Sequence, residues 1–496
     1  MKRSHRVILG ALFLFYAVNN YIWLSQNKLP VSYDEGIHLW TSLRFVRAFL
    51  HPAHSIFYEL IDANTTHWPP LFYFIASLFN LIFGLSYIVS VMTNMLFFLI
   101  LIVSLYLIGK KLYSPFIGVL SATILSFYPI IYGHSRLFQL DFALTAIVTL
   151  SIYCLISTDR FRSLLWSIIF CISAAIGMLI KWSYIIFILP LVLYMIIACL
   201  SDSKIRDFLY RLKKLLIALA ISFIIPSLWY IKRNRGILSH LRIAFENTSI
   251  PTFENIRCLI LSFNNSILSF IFFLLFIVCL AIFYIKSKSK FKVFFTIWSF
   301  IPLILLSFIK FKQARFFMPV LPCFALISAI GIDLIGNKRV KNIVVIFVFS
   351  TGLMQYFNSS FTYRIDEKNK FRSKDKNINI LYKPYLEGVY SIIGAAPPRR
   401  IDWRQEDIAK SFAGHIQELK DYPFIMGIIW DENNIGLNNL FANRVMNYYV
   451  IKELMRSDAV LSGEIALAMN QKDETKKFLD FITDMQGVVY ISKNST

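Results

Sequence analysis

The sequence predicts an α-helical polytopic membrane protein of about eleven spans, followed by a small α/β domain. Three observations predict it. Of 496 residues, 57% are hydrophobic and 47 are Phe, more apolar surface than one soluble core would bury. These residues fall in runs close to the ~20 needed to cross a bilayer. The charge is also divided: residues 1–356 hold 32 of the 51 Lys and Arg but 11 of the 29 acids, whereas residues 357–496 hold 19 and 18. The tail is therefore a different, nearly neutral domain.

The first run, 7–25, comes after the basic start KRSHR and lacks a small-residue cleavage site, which makes it a retained signal anchor. Ten further runs lie at 87–108, 114–131, 141–157, 164–180, 184–200, 214–231, 265–285, 293–309, 316–335 and 342–357. PLFYFIASLFNLIFG, 70–84, is shorter and opens on two prolines. If it does not span, the short segments 2–6, 109–111, 159–162, 201–214, 286–292 and 337–341 share the cytoplasmic side. They then collect 19 Lys and Arg against 13 opposite, as the positive-inside rule asks. Were 70–84 a span, the arrangement after it would invert. The expectation is a multi-pass protein of the plasma (inner) membrane, N-terminus cytoplasmic and tail extracytoplasmic.

Basic clusters in short loops between spans suit topology and anionic lipid headgroups, and nucleic acid is discarded as a partner. Five cysteines lie inside apolar runs, Cys258 near the start of one, and no CxxC occurs; neither a disulfide framework nor a zinc site is indicated. GIDLIGNK (331–338) lacks the Lys-Ser/Thr of a P-loop and ends a span rather than coming after a strand. In the tail, INILY (378–382) and FIMGIIW (424–430) read as buried strands, while 404–420 and 439–455 carry apolar residues at helical spacing. The domains are accordingly 1–360, with the outer loop 26–86, and 361–496.

On this topology the loop VSYDEG, the stretch HSRLFQLD (134–141), Lys181 and KFKQAR (310–315) share the outer face. Asp34 and Glu35 are two of the few acids in the membrane part. A bland role is available, since a carboxylate at the start of the helix EGIHLWTSLRFVRAFL is favourable. Asp141 opens a span, where an acid is costly unless satisfied or functional; a pair with Arg136, five residues earlier, is the plain alternative. His67 in THWPPLF can simply anchor an interfacial helix, and Lys181 can snorkel. Lys310, Lys312 and Arg315 run against the positive-inside preference, and such cations suit a phosphate, Arg in bidentate geometry. Asp333 is assigned to the basic residues Lys338 and Arg339 near it. A base, a second acid and phosphate-suited cations, without a nucleotide motif, suggest attack of an acceptor hydroxyl on a sugar linked to a lipid phosphate.

The order YDEG, HWPPL, SRLFQLD, IKWSY and KFKQARFFMPVLPCFAL resembles the protein O-mannosyltransferase and aminoarabinose (lipid A) transferase superfamily, over roughly residues 1–360. The resemblance implies the C-type glycosyltransferase fold, a polyprenyl-phosphate sugar donor and an inverting transfer to a lipid, glycan or protein acceptor. It implies Asp34 as the catalytic acid of the outer loop with Glu35 beside it, Asp141 as the second acid, and Lys181, Lys312 and Arg315 as donor-phosphate contacts, with His67 and Arg136 also at the substrate. The family pattern HPP is broken here by Trp68. The loop 232–264 is too short for the domain that eukaryotic members insert, which favours a bacterial member. Some relatives bind a divalent metal ion near these acids, and no ligand set in the sequence assigns one. A transporter or flippase is the main alternative; it calls for repeats and ionisable groups near mid-membrane, and here the acids cluster at one face.

Overall fold

The computed structural model describes residues 3–28, 33–50, 68–202, 205–233, 253–289, 291–309, 313–362 and 393–398, isolated positions between them, and three strands in the tail. All eleven apolar runs fall largely in helices. Among the described residues six of these are long and apolar enough to cross a membrane: Ser4–Gln26, Tyr87–Leu112, Leu140–Ser157, Tyr184–Ser201, Ala314–Asp333 and Lys338–Phe361. Leu259–Ile267 and Phe270–Lys286, bent by 117°, make a seventh if taken as one span.

The remaining expected spans are short for local reasons. Pro115–Ser126 opens with Ser114 accepting from the Ile117 N–H and Pro at the first turn, a well-formed start, but stops before Pro129. The run 214–231 is split at Phe223 between Ile205–Ser222 and Ile224–Lys232. Leu164–Ile180 and Lys292–Ser307 are apolar helices of 17 and 16 residues. Leu71–Phe83 has 13 residues, about 20 Å at the helical rise, against a hydrocarbon core of ~30 Å.

The chain divides into two compact units. The first comprises 1–24, 67–72 and 91–398. At its centre are Leu140–Ser157 and Ala314–Asp333, 83% and 89% buried, whereas the windows of Ser4–Gln26, Tyr184–Ser201 and Lys338–Phe361 are only 22–28% buried and present their apolar side chains outward, as lipid-facing helices do. Asn94–Leu112 and Pro115–Ser126 cross closely because Gly109 and Gly118 meet: a Cβ on Gly109 would lie 2.6 Å from the Gly118 Cα. Small residues serve this purpose where lipid removes the hydrophobic drive between helices. Asp333 pairs with Lys341, Nζ to Oδ1 3.0 Å, rather than with Lys338 or Arg339. Residues 393–398, beyond the boundary expected at 360, belong to this unit.

The second unit comprises 25–66, 73–90 and 399–496. Its helix Tyr33–Leu50 meets the segment after Pro70 through Phe45 and Phe49, whose rings lie 6.3 and 5.9 Å from that of Phe74. In the tail, strands β1 (Ile425–Trp430), β2 (Ala466–Met469) and β3 (Gly487–Ile491) form a parallel sheet of order β2-β1-β3. The expected strand 424–430 is thus β1. Parallel pairing needs crossovers of a dozen or more residues, which 431–465 and 470–486 are long enough to supply. INILY and the expected helices at 404–420 and 439–455 lie essentially outside the described residues.

Candidate active site

The stretch HSRLFQLD is built as a rigid connection. Pro129 begins the short helix Pro129–His134, Gln139 is extended, and Leu140–Ser157 starts directly after it. Asn94 Nδ2 holds the bend by donating to the Leu137 carbonyl at 2.8 Å. Arg136, fully buried, fastens it from the other side. Its Nε donates to Asn20 Oδ1 (2.9 Å), Nη1 to Ser360 Oγ (3.0 Å) and the Gly394 carbonyl (2.8 Å), and Nη2 to the Tyr356 hydroxyl (2.7 Å). The Trp23 and Tyr356 rings flank the guanidinium at 5.4 and 5.3 Å, close enough for cation–π attraction. Arg136 is therefore a brace between chain segments and not the partner of Asp141. The chain between the two, 137–139, is not helical, so their spacing does not bring them onto one helix face.

Asp141 sits in the first turn of Leu140–Ser157, where helix N–H groups favour a carboxylate. Lys181 Nζ lies 2.6 Å from its Oδ1 and Arg315 Nε 3.7 Å from its Oδ2; the Asp141, Lys181 and Arg315 side chains are 4%, 8% and 11% exposed. Lys181 is delivered by the end of Leu164–Ile180: its backbone turns extended, and its N–H closes onto the Gly177 carbonyl. A Cβ at Gly177 would stand 2.3 Å from the Tyr184 ring, so glycine permits the tight turn that aims Lys181. Arg315 comes from the 3₁₀ turn Ala314–Val320 that leads into Leu321–Asp333.

Among the described residues one carboxylate thus faces two cations in a largely dry setting, where electrostatic interactions are strong. Buried His134 adds no positive charge: burial, and after it Arg315 and Lys181, push its pKa down to about 3 against the pull of Asp141. It is a neutral imidazole at physiological pH. Among the described residues neither its ring nitrogens nor the Gln139 amide finds a hydrogen-bond partner of normal geometry. On the more open side Lys181 Nζ lies 5.3 Å from the Trp68 ring and 5.4 Å from Phe316, and Trp68 is nearly parallel to Trp182.

Asp34 and Glu35 occupy the first turn of Tyr33–Leu50 in the second unit. Since the helix starts at Tyr33, Asp34 lies inside the first turn and is not its N-cap. Glu35 is buried and accepts from the Tyr87 hydroxyl at 3.3 Å, while Asp34 is half-exposed. Neighbouring helical positions diverge by about 100°, which accounts for the difference. One turn on, His38 Nδ1 is 2.8 Å from the Tyr73 hydroxyl. His67, Lys310 and Lys312 lie outside the described residues. Among the described residues no three His, Cys, Asp or Glu side chains gather to hold a metal ion.

Residues 67–230 match the family model of dolichyl-phosphate-mannose-protein mannosyltransferases. The match includes Trp68, Arg136, Asp141 and Lys181. No curated protein sequence matches the chain. Among solved structures, ArnT from Cupriavidus metallidurans bound to undecaprenyl phosphate is similar with a TM-score of 0.54 at 13% identity, over 92% of this chain and 76% of that one. The Archaeoglobus fulgidus oligosaccharyltransferase in its apo form gives 0.53 at 13%, over 90% of this chain. AglB from the same organism, with an inhibitory peptide and a dolichol-phosphate, gives 0.51 at 12%, also over 90%. This chain covers 64% of either oligosaccharyltransferase chain. At these identities the likeness is one of fold, that of C-type membrane glycosyltransferases, and this multi-pass membrane protein has it.

Sequence reasoning missed His134, Trp182 and the linkage of Asp141 to Lys181. His134 lies in the same stretch as Asp141. Trp182 adjoins Lys181 in IKWSY, and its signal was that adjacency. The 40-residue separation of Asp141 and Lys181 has no local signature.

Proposed function

We propose that this protein transfers a sugar from a polyprenyl-phosphate-linked donor to a hydroxyl or phosphate of a lipid, glycan or protein acceptor, with inversion, at the outer face of the plasma membrane. The acceptor oxygen attacks the anomeric carbon, the bond from that carbon to the phosphate oxygen breaks, and polyprenyl phosphate departs. Asp34 takes the acceptor proton, with Glu35 set beside it for support; Lys181, Arg315 and Lys312 bind the donor phosphate and stabilise the charge that develops on it. Asp141 holds the two described cations in register. His67 and Arg136 complete the substrate side, Arg136 by bracing the segment that bears Asp141.

The observation that carries the reading is the Asp141 cluster, a buried carboxylate that meets cations from two separate helical segments. A phosphate entering the cluster would meet a Lys ammonium and an Arg guanidinium together, the two cations suited to bind it. ArnT bound to undecaprenyl phosphate and AglB with a dolichol-phosphate are the similar proteins whose ligands this chemistry fits. The tail, 361–496, is accessory in this reading, covering the outer loops or helping to select the acceptor.

The donor site is tested at Arg315. In protein purified at normal abundance, Arg315→Ala is expected to weaken binding of polyprenyl phosphate roughly tenfold or more, and Arg315→Lys to recover only part of it because the bidentate fork is lost. Unchanged affinity in Arg315→Ala would remove Arg315 from the donor site. The shared outer face is tested by reporter fusions: a cytoplasmic signal is expected at Lys111 and an external one after Tyr363, and the reverse at either position contradicts the topology.

A further inference from the structure

We propose that Trp68 and Trp182 form an aromatic subsite for the sugar ring of the lipid-linked donor, beside the cations that take its phosphate. The proposal rests on the donor reading of the Asp141 cluster. The two indoles are nearly parallel, 8° apart, with centroids separated by 6.3 Å. Trp68 is fixed by its two successors in the chain: Pro69 is buried, and Pro70 leads into Leu71–Phe83. Two prolines leave the backbone little freedom, so the ring is held at low entropic cost. Trp182 comes directly after Lys181, whose extended backbone and Gly177 turn fix it in the same way.

The placement of the rings separates a sugar from the other parts of the donor. Trp68 lies 5.3 Å from the Lys181 ammonium, and Lys181 is bonded to Asp141, so the indole stands one side chain away from the charge assigned to the phosphate. In a sugar phosphate the ring is the group directly attached to the phosphate that has a flat C–H face. A hexose or pentose ring can lay that face on an indole while its rim hydroxyls reach polar groups. An aromatic wall with a few placed polar groups is the usual make-up of a small-ligand site. The isoprenoid tail asks instead for an aliphatic groove opening toward lipid. Both tryptophans are half-buried, where a ligand can reach them, whereas Asp141 and His134 are buried. The tryptophan that breaks the HPP pattern thereby has a use: it supplies one wall of the subsite.

The experiment uses the full-length protein in lipid nanodiscs and two classes of probe: undecaprenyl phosphate without a sugar, and a panel of undecaprenyl-phosphate hexoses and pentoses. Affinities are measured for wild type, Trp68→Ala, Trp182→Ala, Trp68→Phe and Trp182→Phe, with thermal unfolding as the check on folding. Each Ala variant is expected to lose roughly tenfold in affinity for the sugar-bearing lipid that wild type prefers, the order of one aromatic contact. Affinity for undecaprenyl phosphate should hold, and each Phe variant should recover part of the loss. Equal losses for both lipids, or none for either, overturn the subsite. A wild type that binds neither lipid overturns the donor reading itself and the subsite with it, and a wild type that binds both equally overturns the subsite alone. If the Ala variants fail to fold, the Phe variants decide, since they keep a ring and are expected to discriminate the two lipids less well than wild type.

Discussion

Asp141→Ala is expected to destabilise the membrane unit by about 3–5 kcal/mol, the order found when one member of a buried ion pair is removed. The effect is large because Lys181 and Arg315 both face this carboxylate and are only 8% and 11% exposed. Removing Lys181 as well should restore part of the loss: Asp141→Ala combined with Lys181→Met leaves one buried cation in place of two and adds apolar volume. Activity should not return with it, since a cation assigned to the donor phosphate is gone. Thermal unfolding followed by size-exclusion chromatography in detergent separates the two quantities. A single variant as stable as wild type would mean that the cluster is hydrated and that its ion pairs are weak.

The legible part of the fold was its periodic part. Each apolar run became largely helix, and FIMGIIW became a strand, because length and alternation of hydrophobicity decide those outcomes locally. The number of full crossings was not legible in the same way. Helix ends are set by single events, such as Pro129, the extended Lys181 and the break at Phe223, and composition averaged over twenty residues passes over them. At the candidate site, the residues with costly charge in an apolar setting were visible from sequence: Asp141, Lys181 and Arg315 all stand out there. Their pairing was not. Arg136 is the natural partner of Asp141 by proximity in sequence, yet the turn between them sends it to Asn20, Tyr356, Ser360 and Gly394, segments more than a hundred residues away. Distances of that kind are a property of packing and have no counterpart in spacing.

Helical geometry alone makes Asp34 and Glu35 unequal. The structure adds a reason for it, with Glu35 buried against Tyr87 and Asp34 left accessible. An accessible carboxylate in the first turn of a helix is suited to meet an incoming hydroxyl. A role confined to the helix dipole predicts a different outcome for substitution, because removing one carboxylate from the first turn costs only about 0.3–1 kcal/mol of stability and leaves turnover intact.

The most direct test is therefore turnover by purified wild type and Asp34→Asn with a polyprenyl-phosphate sugar and an acceptor, with donor binding measured in parallel and the anomeric configuration of the product determined. Wild type is expected to transfer the sugar with inversion. Asp34→Asn is expected to fold and bind donor normally while turning over ~10²- to 10⁴-fold more slowly, the usual contribution of a general base. Near-normal turnover by Asp34→Asn, or the absence of transfer by wild type from any polyprenyl-phosphate sugar, would contradict the account.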